Sequence, residues 1–101
     1  MERGLVSMTE KENEILNILQ EECAEVIQMV SKCRRFGIDG THLKDGGTNR
    51  QRLTEEIGDV LCMLKLAQDY GIVDVTEVND AAFRKLEKLK IWSTIFNEET
   101  V

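Results

Sequence analysis

The sequence predicts an all-α protein, and three observations carry that expectation. Proline is absent from all 101 residues, so nothing along the chain forbids long helices. Apolar residues recur at three- and four-residue spacing in three separate segments. Glycines, Gly37 and Gly71 among them, stand between those segments where helices are expected to stop.

The first helix is expected to open at Thr9, because Thr9-Glu10-Lys11-Glu12 has the form of a capping box. From Ile15 the residues Leu16, Leu19, Cys23, Val26, Ile27, Val30 and Cys33 continue the helical spacing, and Phe36-Gly37 ends it. The polar, glycine-rich stretch from Ile38 to Asn49 reads as a loop whose length points to function. A second helix runs from about Arg50 to Tyr70, with Leu53, Ile57, Val60, Leu61, Leu64 and Ala67 expected on one face and Gly71 closing it. Its later half, VLCMLKLA, is apolar on nearly every side, which in so short a chain implies a partner subunit. A third helix starts near Asp74 or Thr76 and ends near Ile91, with Val78, Ala82, Leu86 and Leu89 facing inward. The stretch from Trp92 onward reads either as a short docked helix or as a frayed tail.

Length and composition bound the rest. Residues 1–101 make a single domain, at the low end of what builds a core alone, so self-assembly is expected. A net charge of −6 argues against binding a nucleic-acid polymer, which needs an excess of Lys and Arg. Cys23, Cys33 and Cys62 form no CxxC pair and are expected to be small buried hydrophobes in a reducing compartment. With no signal-peptide pattern and no apolar run long enough for a bilayer, no membrane association is expected, and the cytoplasm is the expected location.

The acidic residues are placed oddly for mere solubility. On the first helix the stripe Ile18, Glu22, Glu25, Met29 sets carboxylates between apolar residues, and on the second the stripe Arg52, Glu56, Asp59, Met63 sets them beside apolar ones, at the edge of the buried face. Glu21 lies on the outer side of Glu25. Drawn together, such groups repel and lose hydration unless something compensates, and hard oxygen ligands in this number suit Mg²⁺ or Mn²⁺. The plain alternative is a set of solvated glutamates with lysines such as Lys32 and Lys65 nearby. A ferritin-like di-iron site wants Glu-x-x-His, and neither acidic pair has a histidine. Zinc hydrolysis is disfavoured for the same reason, and a nucleophilic triad has only His42 to draw on. Asp45-Gly46-Gly47-Thr48 lacks the P-loop pattern.

At Glu21-Glu22-Cys23-Ala24-Glu25 and Glu56-Ile57-Gly58-Asp59 the chain resembles the EExxE…ExxD signature of the MazG-like all-α nucleoside triphosphate pyrophosphohydrolases. The flanking EECAEVIQMVSKCRRFG and LTEEIGDVLCMLKLAQDYGI are similar to the two core helices of small phage-type and bacterial members, and the resemblance runs from about Glu14 to Trp92. One departure is the 30 residues between the motif halves, positions 26 to 55, slightly beyond the usual spacing; the glycine-rich loop absorbs them.

The resemblance implies a catalytic set of Glu21, Glu22, Glu25, Glu56 and Asp59. Glu22, Glu25, Glu56 and Asp59 would hold Mg²⁺ (or Mn²⁺), and Glu21 would be a further ligand or orient the attacking water. Cleavage would fall between the α- and β-phosphates, by water activated at the metal. Lys85, Lys88 and Asn79 on the third helix, with Lys32 on the first, would meet the phosphates; the plain alternative for the lysines is a solvated face paired with Glu77 and Glu87. Phe36, Ile38, His42, Asn49 and Trp92 are the candidates for contact with the base. Family members assemble as dimers or dimers of dimers, so a homodimer or homotetramer with a four-helix core is expected. Phage-type members include purine-specific enzymes, which makes dGTP the first substrate to try. Two other readings compete: a non-catalytic dimeric interaction module whose acidic stripes pair with basic surfaces, and a metal-binding storage or sensor protein.

Overall fold

The structure, a computed structural model, describes residues 8–41 and 46–98. Among them it is all-helical: α1 (Glu10–Phe36), α2 (Asn49–Asp69) and α3 (Val75–Trp92). The capping box at Thr9 forms as its residues require. The Glu12 amide donates to the Thr9 hydroxyl at 3.0 Å, and the Thr9 amide donates to the Glu12 carboxylate at 3.0 Å. A second capping box, unread in the sequence, opens α2, where Thr48 and Gln51 exchange the same two bonds. At the other end of α2, Ile72 N–H donates to Ala67 C=O at 2.8 Å around Gly71, whose φ of +72° is costly for any residue with a Cβ. That turn directs Ile72 back onto the core of Ile15, Met63 and Ala67. Among the described residues after Trp92 the chain makes a turn and no further helix, Asn97 N–H donating to Thr94 C=O at 3.1 Å.

The segment from Gly37 to Arg50 is a built connection. Asn49 is buried, at 4% exposure, and its Nδ2 donates to Gly37 C=O at 2.9 Å. The Asn49 amide donates to Gly40 C=O and the Arg50 amide to Ile38 C=O, while Arg50 and Asp39 form an exposed ion pair at 3.0 Å. A Cβ at Gly40 would stand 2.6 Å from Phe36 C=O, so only glycine fits. Asn49→Ala removes one of the two hydrogen bonds to the Gly37 carbonyl, leaving that from the Gly40 amide, and is expected to cost about 0.5–1.5 kcal/mol in chemical denaturation; an unchanged midpoint would remove the residue's role as a pin.

α1 and α2 pack antiparallel along their length, and α3 packs on neither beyond a marginal contact. The radius of gyration is accordingly 18.1 Å, against about 13 Å for a compact chain of this size. The surface of 8554 Å² is roughly half as much again as a folded monomer of this mass exposes, about 5,800 Å². Val78, Ala82 and Leu86 therefore do not face inward within one chain: all three are exposed and no residue of α3 is buried. Cys23 and Cys62 are also exposed, contrary to expectation, and Cys33 is half-buried.

The predicted single apolar face of α2 divides in two. Of its residues Ala67 is buried, beside Met63 of the acidic stripe, and Leu53 and Val60 are half-buried, whereas Ile57, Leu61 and Leu64 are exposed. Helix geometry explains the division. At about 100° per residue, Ile57, Leu61 and Leu64 lie about 80–140° round the helix from the Glu56–Met63–Ala67 stripe. On α1, Leu16, Cys23, Ile27 and Val30 lie a similar turn, in the same sense, from the stripe of Ile15, Glu22 and Met29. Because the helices are antiparallel, the two displaced stripes emerge on one side of the hairpin as a broad apolar face. The opposite rotation brings Glu21 and Glu25 of α1 and Glu55 and Asp59 of α2 to the other side. No helix among the described residues is long and apolar enough to cross a membrane.

Candidate metal centre

Both acidic motifs lie mid-helix, in the stretch over which α1 packs on α2. Glu22 is at the middle of the α1 stripe that faces α2, and Glu56 occupies the corresponding place on α2. Glu22, Glu56 and Asp59 each bring one carboxylate oxygen to within 4.8 Å of the others. Glu22 and Glu56 are half-buried, and Asp59 is exposed at the mouth. The Glu56 Oε2 atom is buried and has no hydrogen-bond partner.

These surroundings disfavour ionisation. Burial, then the charges of Asp59, Glu56, Glu25 and Glu21, holds Glu22 above its ordinary value of 4.5. Glu56 is raised by burial, then by Glu25 and Asp59; Arg52 draws it down and Glu55 adds a smaller push upward. Glu25 thus lies close enough to act on both interior glutamates, although it is outside the trio whose oxygens converge. Glu21 is exposed on the outer edge and acts on Glu22 as the weakest of the four charges.

A divalent cation fits this donor set. The oxygens are hard and anionic, no nitrogen or sulfur donor joins them among the described residues, and the buried Glu56 oxygen lacks the partner that such an atom needs. Arg52 was in plain view in the sequence, four residues before Glu56 on the same stripe, but its electrostatic part was not read there.

The other candidates are scattered. Lys32 is half-buried, seven residues beyond Glu25 on the same side of α1. Asn79, Lys85 and Lys88 are exposed on α3, the helix not packed on this chain's hairpin. Lys85 falls among Val78, Leu89 and Trp92 on the apolar stripe of α3, and the ion pair on that helix joins Glu87 to Lys90, at 2.9 Å. Of the base-contact candidates, Asn49 is committed to the loop, and Phe36, Ile38 and Trp92 are exposed. His42 lies outside the described residues.

The raised glutamates set a sign for pH dependence. In metal-free protein the folded chain holds protons on Glu22 and Glu56 that the unfolded chain releases near 4.5. Their contribution to stability is full below that value and is lost as pH rises through the higher folded values. Asp39, lowered by its hydrogen bond and charge pairing with Arg50, acts oppositely: its contribution is present above 3.8 and lost as pH falls further. Without metal, the melting point of wild type relative to Glu56→Gln is therefore expected to be higher near about pH 5 than near about pH 7.5. Mg²⁺ is expected to stabilise wild type most at the higher pH, because protons compete with it for the same oxygens. Calorimetric scans at the two pH values check both signs.

A family model described as the MazG nucleotide pyrophosphohydrolase domain matches residues 10–90, which span both carboxylate motifs and nearly all of α3. No curated protein and no solved structure matches the chain.

Proposed function

The chain belongs to the MazG nucleotide pyrophosphohydrolase domain family, and from that premise we propose that it hydrolyses a nucleoside or deoxynucleoside triphosphate to its monophosphate and pyrophosphate. The observation that carries the reading is the convergence of Glu22, Glu56 and Asp59, with one Glu56 oxygen buried and unpartnered. These three, with Glu25 beside them, would hold Mg²⁺, for which Mn²⁺ would substitute. The ion would neutralise phosphate oxygens and acidify a water for attack between the α- and β-phosphates.

The protein's own groups do the remaining work. The packed hairpin fixes the spacing of the carboxylates, so the phosphate chain is aligned without reorganisation. Glu21, at the exposed edge, accepts a hydrogen bond from the attacking water and orients it. Lys32 meets phosphate charge from the same side of α1. Asn79, Lys85 and Lys88 reach the phosphates when α3 is packed on a hairpin in an assembly of copies. That assembly is a homodimer or homotetramer in which apolar hairpin faces join into a four-helix core, as the excess exposed surface favours.

Incubating the protein with each common deoxynucleoside triphosphate and assaying pyrophosphate tests the reading. Release that requires Mg²⁺ or Mn²⁺ is expected, and failure to cleave any of them with either ion would overturn it.

A further inference from the structure

On the carboxylate side of the hairpin, toward the start of α1, lies a groove of about 230 Å³. Its floor is Ile15, Ile18, Met63 and Leu66, and Lys11, Glu14 and Tyr70 stand at its rim. Ile18 precedes Glu22 by four residues and Met63 follows Asp59 by four, so the floor is the next turn of the two stripes that carry the acids. Lys11 Nζ stands 5.4 Å from the centre of the Tyr70 ring, setting a cation beside an aromatic face at the far end.

This groove differs from the other apolar surface of the hairpin in both place and chemistry. The broad face of Ile27, Val30, Ile57, Leu61 and Leu64 is on the opposite side, so a second copy packed there leaves the groove open. The broad face is a run of apolar side chains with Arg34 and Lys65 at its margins. The groove joins an apolar floor to one aromatic ring, one group that only accepts hydrogen bonds and one that only donates them. A flat heterocycle with a polar edge matches that combination.

We propose that the groove seats the base of the nucleotide whose phosphates are held at Glu22, Glu56 and Asp59. Tyr70 supplies a stacking face, and Glu14 and Lys11 read the edge of the base. The inference rests on the hydrolase reading above and adds a location and a preference to it. Glu14 precedes Glu22 by eight residues, about 12 Å along the axis, which leaves room for the sugar between phosphates and base. The volume falls below the roughly 300 Å³ at which pockets begin to hold whole drug-sized ligands, a size suited to one ring system. The Glu14 carboxylate accepts two bonds at once from adjacent donors, and guanine alone among the common DNA bases offers two on one edge, at N1 and N2. Lys11 donates to the acceptors of the same base, O6 or N7. The nucleotide is therefore a guanine one.

Glu14→Gln and Tyr70→Leu test this by kcat/KM on dGTP and dATP, and by calorimetric binding of the uncleaved α,β-imido analogues of both. Wild type is expected to favour guanine, and Glu14→Gln to cut that preference by about 10-fold or more in both measurements. Tyr70→Leu is expected to weaken both analogues by about 10-fold. Glu14 is exposed, so its replacement leaves the fold in place and the result readable. Guanine preference retained in Glu14→Gln, or a change of oligomeric mass in place of a change of base preference, would overturn the proposal. A wild type that cleaves no triphosphate is a separate result and removes the hydrolase reading itself.

Discussion

Glu56→Gln is expected to lower pyrophosphate release by on the order of 10²–10³-fold or more while the protein stays folded. The substitution keeps the shape of the side chain and removes the charge that a divalent cation needs, at a position whose buried oxygen has no hydrogen-bond partner. In the absence of metal the same change is expected to raise the melting point near neutral pH. It deletes a carboxylate that burial, Glu25 and Asp59 all push toward the neutral form. Lost turnover joined to gained metal-free stability distinguishes a metal site from a merely structural group, whose removal would lower both. Glu22→Gln and Asp59→Asn are expected to behave alike, and the double variants to lose little more than the singles, because the carboxylates act as one unit. If the interaction-module reading were right, none of the three would change the affinity for divalent ions. Isothermal titration with Mn²⁺ separates the two.

The helices were legible because their signals are local. Thr9 with Glu12 marked a start, Gly37 and Gly71 marked stops, and α1 and α2 fall within about a residue of the expected boundaries. The Thr48–Gln51 capping box is equally local but straddles the boundary between the glycine-rich stretch and the expected helix. The carboxylate stripes were legible for the same reason, since i, i+3 and i+4 spacings are fixed by helix geometry. Which acids converge was not, because that depends on how α1 and α2 are rotated against each other. The rotation puts Glu22 and Glu56 at the interface, Asp59 at the mouth and Glu25 and Glu21 progressively outside it. Asn49 was read as a possible base contact because a polar residue in a glycine-rich loop looks free; its amide is instead spent on Gly37. The division of α2's apolar residues was illegible in a more basic way. A helix that is apolar nearly all round tells that several faces are covered, and does not tell which face meets α1.

Leu61→Lys is expected to break the assembly. In one chain Leu61 is 52% exposed, and so are its neighbours on the same face, Ile57 at 50% and Ile27 at 70%. Covering such a side chain against a second copy contributes about 1.5–3 kcal/mol, and a lysine in its place also carries the cost of an unpaired buried ammonium. In a two-fold interface each substitution enters twice, so dissociation is expected to strengthen by about 10³-fold or more. The consequence reaches beyond mass. Ile15, Met29, Met63 and Ala67 are the buried apolar residues among those described, too small a core to hold 101 residues folded alone. Separation is therefore expected to bring a loss of melting temperature that depends on concentration, and loss of turnover with it. Asn17→Lys, exposed on α1 outside the apolar face and one turn before Glu21, adds the same charge as a control for mass and melting and is expected to stay within about 0.5 kcal/mol of wild type. Light scattering and melting at two concentrations decide the matter. Should Leu61→Lys keep the mass and stability of wild type, the apolar side of the hairpin is not where two copies meet, and the phosphate-binding role given to α3 loses the assembly it depends on.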